Sequence, residues 1–504
     1  MSTLQESRQY PTPNPAPGAT PPGSTPMMPV RPEHGLTLEQ NPPTFTWPMQ
    51  DFTSDYQQVE YILEIRHPDG HVEAFSSPYN WYLPRKLYSP GTYEWRVTGK
   101  GLDLKPNLGK DSISGWRRFT ISPTAMPLVE QSQLSWFVND RSWYEQVKQS
   151  PHPRLQPEQL IDELRPALTT GERSEMFKYL IKDVRNQAAR AVLRDTSGTI
   201  TADYRLPAMP VLGTETIGGL PPEKYYIIKS QEVPAREHRL IANSTLVWLI
   251  YRHSSNPDEQ ALARLAMQDA KDRVMNLAGW PGLGLDAYAG NTDSGARWTL
   301  LAMVRGYDAL YPVLSQSERE MILRNARTRF ANMEPVLIGK RRYIERTPMD
   351  SHNVQAIMAM GGITAVLAGD EINGQAAFDE AVFSRYVPLI YAFGSPWGDS
   401  DGGWTNSGGY GTQQPDGSYL HLDALKYAAQ IDPYRLMQQR NYMHWHMISN
   451  LPGRIPAPFG DGADVEKTFP RRMPAFCTPA IRRRIWRGTR HSCPRPTASD
   501  HSPG

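Results

Sequence analysis

The hydrophobic period of this chain changes once, near Pro123, and that change limits what the chain can fold into. Before it, short runs rich in aromatic and β-branched residues are separated by Pro/Gly turns: PTFTWP, VEYILEIRHPDG, GTYEWRVTGKG and GWRRFTIS. Tyr61, Leu63 and Ile65 alternate with more polar neighbours, as do Tyr93, Trp95 and Val97, which is the two-residue period of half-buried strands. After it, apolar residues recur at helical spacing to about Asn450. Leu262, Leu265, Ala266, Ala270 and Val274 form one such stripe; Val354, Ile357 and Met358, then Val366 and Leu367, form another. The stretch from Trp298 to Tyr311 ends at the stop signal Pro312 and restarts at SQSEREM, so it predicts one helix of an antiparallel pair. The expected fold is therefore multidomain α+β. A small fibronectin type III-like β-sandwich over residues 35–125 is followed by helical hairpins over 126–452 that form an (α/α) toroid.

Length supports more than one core, because 504 residues exceed what a single hydrophobic core usually holds. The 46 prolines are too many to be spread through helices and strands, so they are expected in tails, linkers and loops. Residues 1–34 are Pro-rich with few large apolar side chains and predict a disordered lead-in. No run approaches the roughly 20 apolar residues of a membrane helix. The N-terminus has neither a basic nor an apolar signal-peptide region, which as written predicts a cytoplasmic protein.

The last segment differs from the rest. After PFGDGADVEKTFP the chain turns abruptly to Arg, Pro and Cys without either period. Residues 471–504 hold eight Arg and one Asp, which leaves the remainder mildly acidic despite a net charge of +2. Global charge therefore predicts no nucleic-acid partner and no membrane surface. A basic tail and an out-of-frame translation both fit this segment. Cys477 and Cys493, the chain's two cysteines, both fall there, so disulfides are not expected to hold the body together.

Four stretches resemble the heparinase II/III-like polysaccharide lyases. ARWTLLAMVRGYDALYPVLSQSERE is similar to a helix pair of their toroid. TPMDSHNVQAIMAMGGITAVLAGD resembles the segment bearing their active-site His and Asn. GDSDGGWTNSGGYGTQ resembles the glycine-rich loop of their catalytic tyrosine, and PFGDGAD the approach to their C-terminal β-sandwich. The resemblance implies elimination across a uronic acid in an anionic polysaccharide, a glycosaminoglycan or alginate. It also implies a periplasmic or secreted location, and a toroid that is incomplete here. Residues 453–470 would begin the C-terminal β-domain, whose remainder, with the divalent metal that many members hold there, is absent. One departure stands out: the family's Glu-Gly before the tyrosine is replaced by Thr405-Asn406-Ser407.

The residues make chemical sense for that reaction. Removing the C5 proton of a uronate requires its carboxylate charge to be neutralised, an oxyanion-hole role for hydrogen-bond donors. His352 and Asn353, at the expected start of an apolar-periodic helix, are placed for this because helix N-termini favour anions. A tyrosine serves as both base and acid if nearby cations ionise its phenol. Tyr410, in GGYG, is the first candidate, and Tyr419 is the reserve and a candidate substrate contact. Arg342 and Arg346, in a cluster with Lys340 and Arg341, suit carboxylate or sulfate groups. Trp280, Trp397 and Trp404 offer faces for sugar rings.

Each feature also has a plainer role: a cap for the histidine, a turn for the tyrosine, a solvated patch for the basic cluster, core packing for the tryptophans. His444 and His446 are spaced for one strand face or a metal pair, but without a nearby carboxylate they are weak evidence for zinc; no cofactor is assigned beyond the divalent metal that the resemblance places in the C-terminal domain. Two rival functions remain: a glycoside hydrolase using Asp399 and Asp401, and a carbohydrate-binding protein without turnover.

Overall fold

The computed structural model describes residues 30–47, 60–127 apart from 78, 85 and 101–114, 142–189, 206–282, 292–338 and 351–376, with 378, 422–424, 426–428, 430, 432 and 434. The lead-in before residue 30 and the segments 453–470 and 471–504 lie outside these residues. The protein is mixed α+β, mostly helical, with one five-stranded sheet.

Seven strands precede the first described helix: β1 Leu36–Asn41, β2 Phe45–Thr46, β3 Glu60–Arg66, β4 Val72–Ser77, β5 Trp81–Tyr82, β6 Gly91–Lys100 and β7 Arg117–Pro127. The sheet runs β1-β7-β6-β3-β4, with β1 parallel to β7 and the other pairs antiparallel; β2 and β5 form a separate ribbon. The alternation predicted in β3 and β6 is present, because Tyr61, Leu63, Ile65, Tyr93, Trp95 and Val97 are all buried on one face. The ribbon supplies the other half of that core: Phe45 meets Trp95 edge-on at 5.3 Å and Phe119 at 5.7 Å. On the opposite face, the pairs Arg96–Glu64 and Arg66–Glu94 flank Trp116 and keep the sheet wet on that side. Trp81 turns away from this core and packs into the helical one.

Eight described helices follow: α1 Ser142–Gln149, α2 Glu158–Ala167, α3 Gly171–Ala188, α4 Pro222–Tyr251, α5 Pro257–Ala278, α6 Thr292–Leu310, α7 Gln316–Ile338 and α8 Ser351–Leu367. A short β8–β9 hairpin, Glu371–Ile372 with Gln375–Ala376, comes next. The expected pair appears as α6 and α7, separated by a 3-10 turn at Tyr311–Val313 around Pro312. Pro166 and Pro234 depart from the expected place of prolines, since they sit inside helices. The cost at Pro234 is a lost N–H donor to the Ser230 carbonyl.

Leu265 is a second correction. It is 41% exposed, whereas Leu262, Ala266, Ala270 and Val274 are buried. At 3.6 residues per turn Leu265 lies about 120° from the centre of that stripe, too far round to share its face.

The direction of each helix follows from its contacts. Asp269 and Arg273 of α5 meet Ser244 and Glu237 of α4, so these two run antiparallel. A Cβ added to Gly295 of α6 would lie 2.8 Å from the Ser230 oxygen, and one on Gly306 3.3 Å from Ile241, so α6 runs parallel to α4. Lys271 pairs with Glu318, and Asn325 bonds the Ala278 carbonyl, which makes α5 and α7 parallel to each other. The helices therefore alternate: α4 and α6 point one way, and α5 and α7 return.

Gly295 and Gly306 lie three turns apart on one face of α6, and both are needed for its close approach to α4 and α5. A Cβ on Gly306 would fall 2.1 Å from Cγ2 of Val274. Gly306→Ala is therefore expected to cost about 1–3 kcal/mol through overpacking, and a second change, Val274→Ala, should recover part of it. Urea midpoints of the two variants check this; an unshifted midpoint in Gly306→Ala would contradict the packing.

Candidate functional site

The two ends of the parallel helices differ chemically, and the difference starts with the segment 142–167. Helix C-termini carry unpaired carbonyls and partial negative charge. This segment crosses those ends and supplies cations to them. Arg165 of α2 donates through Nε to the Ile250 carbonyl of α4 at 3.1 Å. Arg154, in the loop between α1 and α2, donates through Nη1 to the carbonyls of Val366, at 2.6 Å, and Ala368, at 3.0 Å, where α8 ends. The same loop reaches α6: the backbone N–H groups of Arg154 and Leu155 both donate to Asp308 at 2.7 Å. These bonds place the C-terminal ends of α6 and α8 side by side, so α8 runs with α6.

The N-terminal ends of α6 and α8 consequently share the opposite side. His352 and Asn353 are the second and third residues of α8, at the helix start the sequence predicts, and no acidic residue occupies its first turn. Their side chains lie outside the described positions. Tyr410, Tyr419, Trp404, Arg342 and Arg346 lie outside the described residues altogether, as do Lys340, Arg341, Trp397, Asp399, Asp401, His444 and His446. Trp280 is described: its ring is 6% exposed within the helical core, and its carbonyl accepts a 2.6 Å bond from Nδ2 of Asn325. It takes the core role, a position set by α7 packing over the end of α5.

Three buried polar groups were not singled out by sequence reasoning. The first joins α3, α4 and α5. Arg273 donates from Nη1 to Glu237 at 2.8 Å and from Nε to Asp269 at 3.1 Å. Gln187 and Ser244 also donate to Asp269, at 2.7 and 2.9 Å. Burial pushes the Glu237 carboxyl up, against the pull of Arg273.

The second group surrounds Asp423, whose carboxylate accepts from the Tyr434 hydroxyl at 2.7 Å. Burial lifts the Asp423 carboxyl to about 7, opposed by Tyr434, Lys426 and Arg305. Burial also lowers the Arg305 guanidinium to about 10, with Asp423 and Asp308 holding it charged. The third group centres on His152. Helical spacing does not show that these groups are buried, because polar residues on a helix are ordinarily read as solvent-facing.

Among the described residues, no cluster of His, Cys, Asp and Glu could hold a metal ion, and no helix is long and apolar enough to cross a membrane. No protein-family model and no curated protein matches the chain.

Proposed function

We propose that this protein is a polysaccharide lyase that cleaves a uronic-acid-containing polymer, glycosaminoglycan or alginate, by β-elimination. The observation that carries the reading is the position of His352 and Asn353 in the first turn of α8, on the side of the parallel helices away from the segment that caps their C-termini. Backbone N–H groups in a first helical turn have no partner within the helix and attract an anion. A His and an Asn beside them add donors to a bound uronate carboxylate and to the charge that develops on it when the C5 proton leaves. Tyr410 then takes that proton and returns one to the leaving glycosidic oxygen, with Arg342 and Arg346 binding further acidic groups of the chain and Trp404 and Tyr419 contacting its sugars.

Two features of the fold support the finer architecture. Alternation of α4, α6 and α8 with the returning α5 and α7 is consistent with inner and outer helices of an (α/α) toroid. The ribbon β2–β5 facing β4-β3-β6-β7 is consistent with a fibronectin type III-like sandwich, with β1 moved across to β7.

The test is incubation with alginate, heparin, chondroitin and hyaluronan while the ultraviolet absorbance of a conjugated unsaturated uronate is followed. Tyr410→Phe removes only a hydroxyl and is expected to abolish that signal while polymer binding persists. New reducing ends without unsaturation would mean hydrolysis instead. Binding without either product would mean a carbohydrate-binding protein.

A further inference from the structure

His152 lies in the loop that joins the capping segment to the ends of α6 and α8, and both of its ring nitrogens face carboxylates. Nδ1 is 2.6 Å from Oδ1 of Asp308, and Nε2 is 3.3 Å from Oδ1 of Asp370. The imidazole side chain is 5% exposed, and the two carboxylate side chains are 1% and 9% exposed. The ring stacks on Tyr311 at 4.3 Å and meets Tyr307 edge-on at 5.5 Å. The charged and titratable neighbours from each packed element are these: Asp308, Tyr307 and Tyr311 from α6 and the turn after it, Asp370 from beyond α8, Arg154 from the loop, Arg319 of α7 over Tyr311, and Lys148 of α1 against Gly369.

A neutral imidazole has one N–H and one lone pair, whereas an imidazolium has two N–H groups. Two ionised carboxylates facing the two nitrogens are therefore both satisfied only by the charged ring. The two sides are not equal when the proton leaves. Asp308 keeps the N–H groups of Arg154 and Leu155, each at 2.7 Å, and retains Nδ1–H as well. Asp370 would face a bare lone pair on Nε2, with the Arg154 guanidinium 3.9 Å away and the Tyr307 hydroxyl.

We propose that His152 is a pH-operated latch: as an imidazolium it ties the loop of residues 150–155 to α6 and to the end of α8, and on deprotonation it releases the Asp370 side. Burial opposes the charge on His152, but the hydrogen bonds and charges of Asp308 and Asp370 outweigh it and hold the ring's pKa above its ordinary value. The latch is thus fully closed below the unfolded value of about 6.5 and opens as pH rises through the higher folded value. Asp423, lifted to about 7, also has its folded pKa above the unfolded one, so the His152 response is told apart from it by the variants and not by pH alone. The latch does not depend on the lyase reading.

Hydrogen exchange of the full chain, followed by mass spectrometry from about pH 6 to about pH 9 and corrected for intrinsic rates, tests it. In the wild type, amides of residues 366–372 are expected to lose about tenfold or more of their protection as pH rises. His152→Gln should show the low protection at every pH. If that variant does not fold, Asp370→Asn serves instead: it removes one carboxylate, so the transition should move toward the ordinary histidine value. Flat protection in the wild type across the range would overturn the proposal, and so would an unaltered transition in either variant.

Discussion

Arg273→Leu is expected to destabilise the helical body by about 3–5 kcal/mol, the scale for removing one partner of a buried charge pair. The reason is geometric. The Arg273, Glu237 and Asp269 side chains are 2%, 0% and 0% exposed, so neither carboxylate can turn to water when the guanidinium goes. Asp269 would keep its bonds from Gln187 and Ser244, and among the described residues Glu237 would keep a 3.5 Å ion pair with Arg236. Glu237 carries most of the loss, and burial already favours its protonated form. Adding Glu237→Gln to Arg273→Leu should therefore recover much of the stability. Urea denaturation of the two variants at neutral pH measures this, and a loss below about 1 kcal/mol in Arg273→Leu would mean that the triad is far more solvated than its burial indicates.

His352→Ala is expected to reduce turnover on a uronate polymer by about 10²–10³, the effect of removing one preorganised donor to a developing oxyanion, with little change in unfolding midpoint. Asn353→Ala should act similarly. The two effects should not simply add if both donors hold one carboxylate, because residues serving a single group couple. Rates come from the unsaturated product, and stability from thermal unfolding of the same preparations. Wild-type rates in both variants would end the assignment of the first turn of α8, whereas a fall in midpoint alongside the fall in rate would make His352 a packing residue.

What the sequence determined by itself was the local structure. Alternation at Tyr61, Leu63 and Ile65 is a property of consecutive residues, because a strand puts neighbours on opposite faces whatever it packs against. The helix read over Trp298 to Tyr311, found at Thr292–Leu310, its stop at Pro312 and its partner were legible for the same reason, and so was the place of His352 and Asn353 at a helix start. Tertiary structure decided the rest. Leu265 was grouped with a buried stripe although its angle on the helix already sets it apart, and α3, α4 and α6 pack against the other side of α5. Prolines were expected in tails, linkers and loops, yet Pro234 lies buried inside α4. Asp269 and Arg273 are an i,i+4 pair, but Glu237 joins them from another helix, and His152, Asp308 and Asp370 come from three separate segments. No spacing rule connects residues that far apart in sequence. A charged side chain on a helix is cheapest in water, so sequence reasoning places it there, and only the packing of helix against helix shows which charges are buried with partners close enough to hold them.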